Sequence, residues 1–439
     1  MKKHYLFTVL LTITTGSTAY ASQVTYCKDV APILFQHCAR CHRPGEVAPF
    51  SLLSYKDAAK RANFLVEVTQ NKRMPPWKAE RGHIQFRDER GLSNEELDVL
   101  VRWAKAGAPK GDPKDMPAIP KFKKGWVLGQ PDLILRMPEP FTIPADGPDV
   151  YRCFAIPTGL KEDRTVAAVE FHPGNRRVVH HSVFFLDKSG IGRERDKQEK
   201  GPGYTSFGGP GVPAIGILGG WAPGVSPRRW PGNVGWWLPG GADLILQMHY
   251  HPTGKVEKDQ SEVGIYFTKK KGKALLPFTI GTRHIDIPAG KNDYKITTHA
   301  TLPTDVTVYG TFPHMHLIGR KIELLAKLPG EAKKKVLVRI PDWDFDWQDQ
   351  YIFQKPFKLP KGTKLTINAV YDNSDNNPFN PNSPPKRVTF GEQTSDEMCL
   401  VPMVVVPEKQ EGYYSIIQYV LFRRMIGEGL IPDSRRRPK

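Results

Sequence analysis

The stretch ADLILQMHYHPTG, residues 242–254, decides how most of this 439-residue chain is read. It is a short run of aliphatic and aromatic residues closed by Pro252 and Gly254, the pattern of a β-strand ending in a turn. Eight further segments share it: TVAAVEF (165–171), VVHHSVFFL (178–186), EVGIYF (262–267), YKITTHATL (294–302), VTVYGTF (306–312), KIELLAKL (321–328), KLTINAVY (364–371) and CLVPMVVVP (399–407). Strands this short, separated by turn residues and without βαβ alternation, predict two β-sandwiches, jelly-roll-like, from about residue 126 onward. Gly201–Gly241 is too long for a simple turn, and its Trp and Tyr content favours an ordered loop.

The beginning of the chain reads differently. Met1-Lys2-Lys3, the apolar run Tyr5–Ile13 and the Ala19–Ala21 motif AYA form a leader cut after Ala21. The apolar run is too short to span a bilayer, and no later segment is long enough, so a periplasmic or secreted protein without a transmembrane segment is expected. QHCARCHRPG, residues 36–45, carries Cys-x-x-Cys-His, the attachment motif for a covalent haem c. Cys38 and Cys41 take the thioether bonds, and His42 is the proximal ligand. Helical patterns at residues 24–42, 56–70 and 92–111, the last opened by a Ser93/Glu96 capping box, predict a small all-α cytochrome c domain. Met74, in NKRMPPWK, is the expected distal ligand, with His83 and Met116 as competitors.

These readings divide the chain into a leader (1–21), a haem domain (22–115), a linker (116–144), two β-sandwich domains (145–275 and 276–410) and a basic tail (411–439). Forty prolines and 39 glycines agree with many turns. The net charge of +18 comes from scattered Lys and Arg, with no nucleic-acid-binding motif beside it, so nucleic acid is not an expected partner. The charge reads first as a solvated basic surface, and an acidic redox partner or an anionic membrane surface is the alternative. Cys27, Cys153 and Cys399 are left over from the haem motif, and their pairing stays open.

The histidines are the second signal. His249 and His251 stand two apart on one expected strand, and so do His314 and His316. Residues i and i+2 of a strand share a face, so each pair can grip one ion. The adjacent His180 and His181 need a local twist to converge. Imidazoles with a thioether favour copper. Zinc is second by ligand type, but it has no redox chemistry for a haem to serve.

HHSVFF (180–185), GGWAPG (219–224) with LQMHYHPTG (246–254), HMHLIGRK (314–321) and SDEMC (395–399) occur in this order. Together they resemble the copper type II, ascorbate-dependent monooxygenases, the family of dopamine beta-monooxygenase and peptidylglycine alpha-hydroxylating monooxygenase, over roughly residues 145 to 410. The resemblance implies two β-sandwiches with one copper on each. His180, His181 and His249 would hold the electron-transfer copper. His314, His316 and Met398 would hold the oxygen-binding copper and be catalytic. His251 has no ligand role in the pattern, and His172, His284 and His299 are ordinary. The peptide-amidating branch binds its substrate carboxylate with an Arg and a Tyr where Phe312 and Pro402 stand here. Cys153 and Cys399 occupy family cysteine positions without the usual partners.

The function expected is hydroxylation of a C–H bond of a small organic molecule with O2. Electrons would come from an external donor, an ascorbate-like reductant or a redox protein, and the haem would relay them to two copper ions. The competing class is a non-oxygenase electron-transfer or copper-binding protein, separable by copper stoichiometry. A third, a structural sandwich with a haem tether, would tolerate loss of His314 and His316. Substrate and oligomeric state are not legible.

Overall fold

The computed structural model describes residues 23–123 and 125–425, so the expected leader at 1–21 lies outside the described residues. Four principal sheets carry the chain. Sheet A orders Leu133–Arg136, Glu262–Phe267, Arg164–His172, Val234–Leu238 and Lys273–Ala274. Sheet B orders Tyr204–Thr205, Val150–Pro157, Asp243–Tyr250, Val179–Asp187 and Gly216–Trp221. Sheet C orders Leu276–Thr282, Cys399–Pro407, Val306–Thr311 and Tyr351–Leu359. Sheet D orders Tyr294–Thr301, Lys364–Tyr371, Gly319–Lys327 and Lys335–Ile340. Two cores result. Val166, Phe171 and Ile265 of sheet A pack with Phe184, Leu246 and Tyr250 of sheet B. Phe278, Val308 and Val401 of sheet C pack with Leu324, Ile340 and Ile367 of sheet D. Burying each such side chain contributes about 1.5–3 kcal/mol.

Asp243–Tyr250 shows how the sequence chooses its faces. Every residue of this central strand is buried. Leu244, Leu246, Met248 and Tyr250 point into the core shared with sheet A, while Ile245 joins a second cluster with Cys153 and Tyr204 on the opposite face. Alternation of period two therefore puts Gln247 and His249 on the face away from the main core.

The expected fold class is corrected. The chain is mostly β, its four sheets form a four-bladed, propeller-like ring, and neither an N-terminal all-α cytochrome c domain nor a succession of jelly-roll sandwich domains describes it. The N-terminal helices are short: α1 (Ala31–His37), α2 (Tyr55–Ala59), α3 (Ala62–Gln70) and α4 (Asn94–Lys105) have 7, 5, 9 and 12 residues. The Ser93/Glu96 capping box that opens α4 contributes about 1 kcal/mol.

Nor does the N-terminal region keep to itself. Trp77, Ala79 and Phe86 are buried in the core of sheets C and D. Phe86 bridges Phe353, and Arg87 N–H donates to the Ile352 carbonyl at 2.8 Å. Glu46 pairs with Arg176 at 2.9 Å and Asp88 with Arg228 at 3.2 Å, which ties the same region to the other half. Helix and strand periodicity reports each segment's own faces. It carries no signal for which remote surface a segment joins.

Two further helices complete the chain: α5 (Ile191–Gln198) and α6 (Glu411–Met425). The buried face of α6 packs Ile416, with Tyr419 and Val420, on the core of sheets C and D. Among the described residues, no helix is long and apolar enough to cross a membrane.

Candidate metal centres

His181 and His249 are direct cross-strand partners in sheet B. The register between Val179 and His181 shifts by one residue, so His180 is the extra residue of a β-bulge. The bulge supplies the local twist that the adjacent pair requires and lets both imidazoles face the same way. The three Nδ1 atoms form a triangle: His180 to His181 3.3 Å, His180 to His249 3.2 Å, His249 to His181 3.1 Å. Ligand nitrogens about 2.0–2.1 Å from a tetrahedral ion stand about 3.3 Å apart, so the triangle has the size of a metal site. Among the described residues, this is the group of three side chains placed to hold an ion.

The surroundings fix which atoms face the centre. His249 donates from Nε2 to Asp149 Oδ2 at 2.7 Å, leaving the Nδ1 lone pair free. His251 donates from Nδ1 to Asp149 Oδ1 at 2.7 Å, and so steadies the same carboxylate instead of joining the cluster. The Tyr151 ring stacks on His249, 4.3 Å between centroids and 9° from parallel. Burial, then the neighbouring His249 and His180 rings, push His181 down to about 3. Burial also lowers His249, against the opposing hydrogen bond to Asp149. Two of the three rings are thus held neutral, with lone pairs available to a cation.

The second cluster extends the strand Val306–Thr311. His314 N–H donates to the Leu400 carbonyl at 2.8 Å, and Leu400 N–H returns to His314 at 3.1 Å. His314 and Leu400 thus form an isolated antiparallel bridge. Met315 is fully buried in the core, so the two histidines that flank it face the other side. Their ring centroids are 5.1 Å apart and nearly perpendicular. His314 donates from Nδ1 to Gln348 Oε1 at 2.6 Å, and His316 from Nδ1 to the Asp396 carbonyl at 3.1 Å. Nε2 is therefore the free atom of His314, while the His316 ring also meets the Gln393 backbone. Burial, then His316, push His314 down to about 4, and burial lowers His316. The two imidazoles stand close enough to share one ion.

Glu397 ties the two halves of this cluster together. Its carboxylate is fully buried and accepts from the N–H groups of His316 and Met398. Burial pushes it up to about 8. Asp149, Gln348 and Glu397 were all missed by sequence reasoning. Glu397 adjoins Met398 in SDEMC, a signal that was open to reading. Asp149 is 100 residues from His249, and only the strand pairing joins them.

In the haem motif, His42 donates from Nδ1 to the Phe50 carbonyl at 3.1 Å, which leaves Nε2 free. Cys38 and Cys41 form no disulfide. Burial raises the Cys41 thiol, opposed by the guanidinium groups of Arg90 and Arg40. Arg40 Nη1 and Arg90 Nε and Nη1 are buried without a hydrogen-bond partner. Met116 packs against the cluster that includes Cys38, which Met74 does not join among the described residues. His83 bonds Glu80 at 2.7 Å and approaches Arg339 at 3.3 Å.

A cavity lies between the halves, walled by Phe171, Phe184, Trp221, Arg228, Trp230 and Phe312. Phe312 comes two residues before His314, so the cavity and the second cluster share one strand extension. The loop after Trp221 also meets the haem motif. A Cβ added to Gly224 would stand 3.2 Å from Cys41 Sγ.

Residues 276–412 match the family model "Copper type II ascorbate-dependent monooxygenase, C-terminal domain". The chain is 25% identical over 214 residues to "DBH-like monooxygenase protein 1" of Gallus gallus, covering 44% of this chain and 33% of that one. It is 22% identical over 292 residues to "Dopamine beta-hydroxylase" of Equus caballus, covering 59% and 44%. With "Putative DBH-like monooxygenase protein 2" of Homo sapiens it shares 24% over 226 residues, covering 46% and 43%. The chain thus spans between a third and under half of the curated relatives it matches. These likenesses support the copper type II ascorbate-dependent monooxygenase family. Likeness to solved structures is slight; the major capsid protein P2 of Bacteriophage PM2 gives a TM-score of 0.25 at 8% identity, covering 64% of this chain and 98% of that one.

Proposed function

We propose that this chain is an exported copper-dependent monooxygenase that hydroxylates a C–H bond of a small organic substrate with O2 and an external one-electron donor. The observation that carries the reading is the triangle of Nδ1 atoms on sheet B, a site of metal dimensions in a chain whose residues 276–412 match a copper monooxygenase domain. In this reading His180, His181 and His249 hold one copper, and His314, His316 and Met398 hold the second. Copper in such donor sets supplies one-electron chemistry toward O2.

The protein's own residues do the positioning. Asp149 fixes the tautomer of His249, while Gln348 and the Asp396 carbonyl fix those of His314 and His316. Neutral rings keep their lone pairs for the ion. The aromatic walls of the cavity exclude water beside the second cluster and receive an uncharged portion of the substrate. Phe312 and Pro402 offer no counter-charge to a substrate carboxylate.

A covalent haem on Cys38 and Cys41, with His42 on the iron, belongs to the same proposal. The free Nε2 of His42, two unpaired thiols and the unpartnered buried N–H groups of Arg40 and Arg90 fit an anionic macrocycle at this place. A haem there supplies one-electron storage against the loop that walls the cavity. The test is metal and haem content of the purified protein, together with O2 uptake and transfer of oxygen-18 into a product. Two coppers per chain with labelled product support the proposal. Copper without product, or absence of copper with haem redox chemistry alone, supports the non-oxygenase class and overturns the monooxygenase.

A further inference from the structure

Helix α6 is apolar on both sides. Its inner face carries Ile416 into the core of sheets C and D, and Arg423 Nη1 donates to the His299 carbonyl at 2.8 Å. Its outer face presents Tyr414 (65% exposed), Ile417 (48%), Leu421 (50%) and Phe422 (53%). Tyr414, Ile417 and Leu421 recur every three to four residues, Phe422 adjoins Leu421, and the exposed Gln418 lies among them. A group of large exposed apolar side chains on one helix marks a surface that another phase or molecule covers.

The charge around the stripe says which. Lys334 and Lys364 lie close enough to His299, where α6 is tied down, to lower its pKa after burial. Both lysines are exposed. The whole chain carries +18. An apolar stripe bearing Tyr and Phe, beside exposed lysines on a strongly basic chain, matches the two layers of an anionic lipid surface.

We propose that α6 seats this protein on an anionic membrane surface, with Tyr414, Ile417, Leu421 and Phe422 entering the acyl boundary and the surrounding cations meeting lipid headgroups. No bilayer is crossed. This inference stands apart from the metal chemistry, and neither depends on the other.

The test uses the full chain and sedimentation with vesicles of phosphatidylcholine alone or mixed with phosphatidylglycerol. The protein should sediment with the anionic vesicles at least about ten-fold more strongly than with the neutral ones, and added salt should weaken this. The pair Leu421→Glu and Phe422→Glu, and separately Lys334→Glu with Lys364→Glu, should each lose at least about ten-fold in binding. Both positions are exposed, so melting temperature and metal content should be unchanged, which separates a lost surface from a lost fold. Equal binding to neutral vesicles, no binding to either kind, or full binding by the Leu421/Phe422 variant would overturn the proposal. So would a wild-type dimer in gel filtration that this variant converts to monomer, since the stripe would then belong to a second copy.

Discussion

Asp149 receives the Nε2 proton of His249 at 2.7 Å, and for that reason Nδ1 is the atom that completes the triangle with His180 and His181. A carboxylate behind a ligand imidazole fixes its tautomer and its orientation at once. Asp149→Asn should lower copper affinity at this cluster by roughly 10- to 100-fold with little change in melting temperature. Competition against a chelator of known affinity measures it. Unchanged affinity would mean that the ring is held by Tyr151 stacking alone.

The two clusters should be separable. Met398→Ile keeps volume and removes sulfur. It should cut oxygen uptake strongly while leaving one copper on His180, His181 and His249. His249→Ala should do the reverse, sparing the copper at the 314/316 cluster. Copper counts per chain, read beside electron paramagnetic resonance, distinguish the two. Loss of both ions in either variant would tell against two independent sites.

Glu397 is a structural keystone on which both ligand-bearing segments depend. Glu397→Leu strands the buried N–H groups of His316 and Met398, at about 1–3 kcal/mol for each unsatisfied group. Calorimetry should show a lower melting temperature, with copper loss confined to the 314/316 cluster. A melting temperature equal to that of the wild type would refute this role.

Glu170 gives a pH test away from the metals. Burial alone would raise its carboxyl. Hydrogen bonds from His172, from the Val127 and Leu128 N–H groups and from Tyr266 outweigh burial and hold it below the ordinary glutamate range. The folded pKa is thus below the unfolded one, about 4.3. Its stabilisation is complete above that value and disappears as pH falls through the folded pKa. Glu170→Gln should therefore melt lower than wild type near neutral pH, and the difference should close in acid. A constant difference across the titration would contradict the assignment.

Cys38→Ala with Cys41→Ala should abolish haem staining on a denaturing gel while leaving the copper count intact. Haem that stays bound to this variant after denaturation would place the attachment elsewhere.

How much of this was legible beforehand depended on range. Strands such as Asp243–Tyr250 announce themselves through composition, and His-x-His pairs through spacing of two, because both are local properties of a pleated backbone. The bulge at His180 could be required but not located, since its cause is the register of the neighbouring strand. The assembly of the sheets and the capture of Trp77 and Phe86 by the core of sheets C and D were not legible. Neither leaves a periodic trace, and short helices that pack on a distant sheet look in sequence like a helical domain of their own.

The bulged residue also bears on how such a centre could be inherited. Removing the codon for His180 would make Val179 and His181 consecutive and restore an unbroken ladder against Tyr250 and His249. That one event leaves two imidazoles and an ordinary sheet. Substitution alone, in an ancestor with the unbroken ladder, could furnish histidines but not the extra length of backbone that turns the third one inward. A three-histidine centre of this design therefore arises only with an inserted residue, and relatives whose strand is one residue shorter should lack it whatever amino acids they carry there.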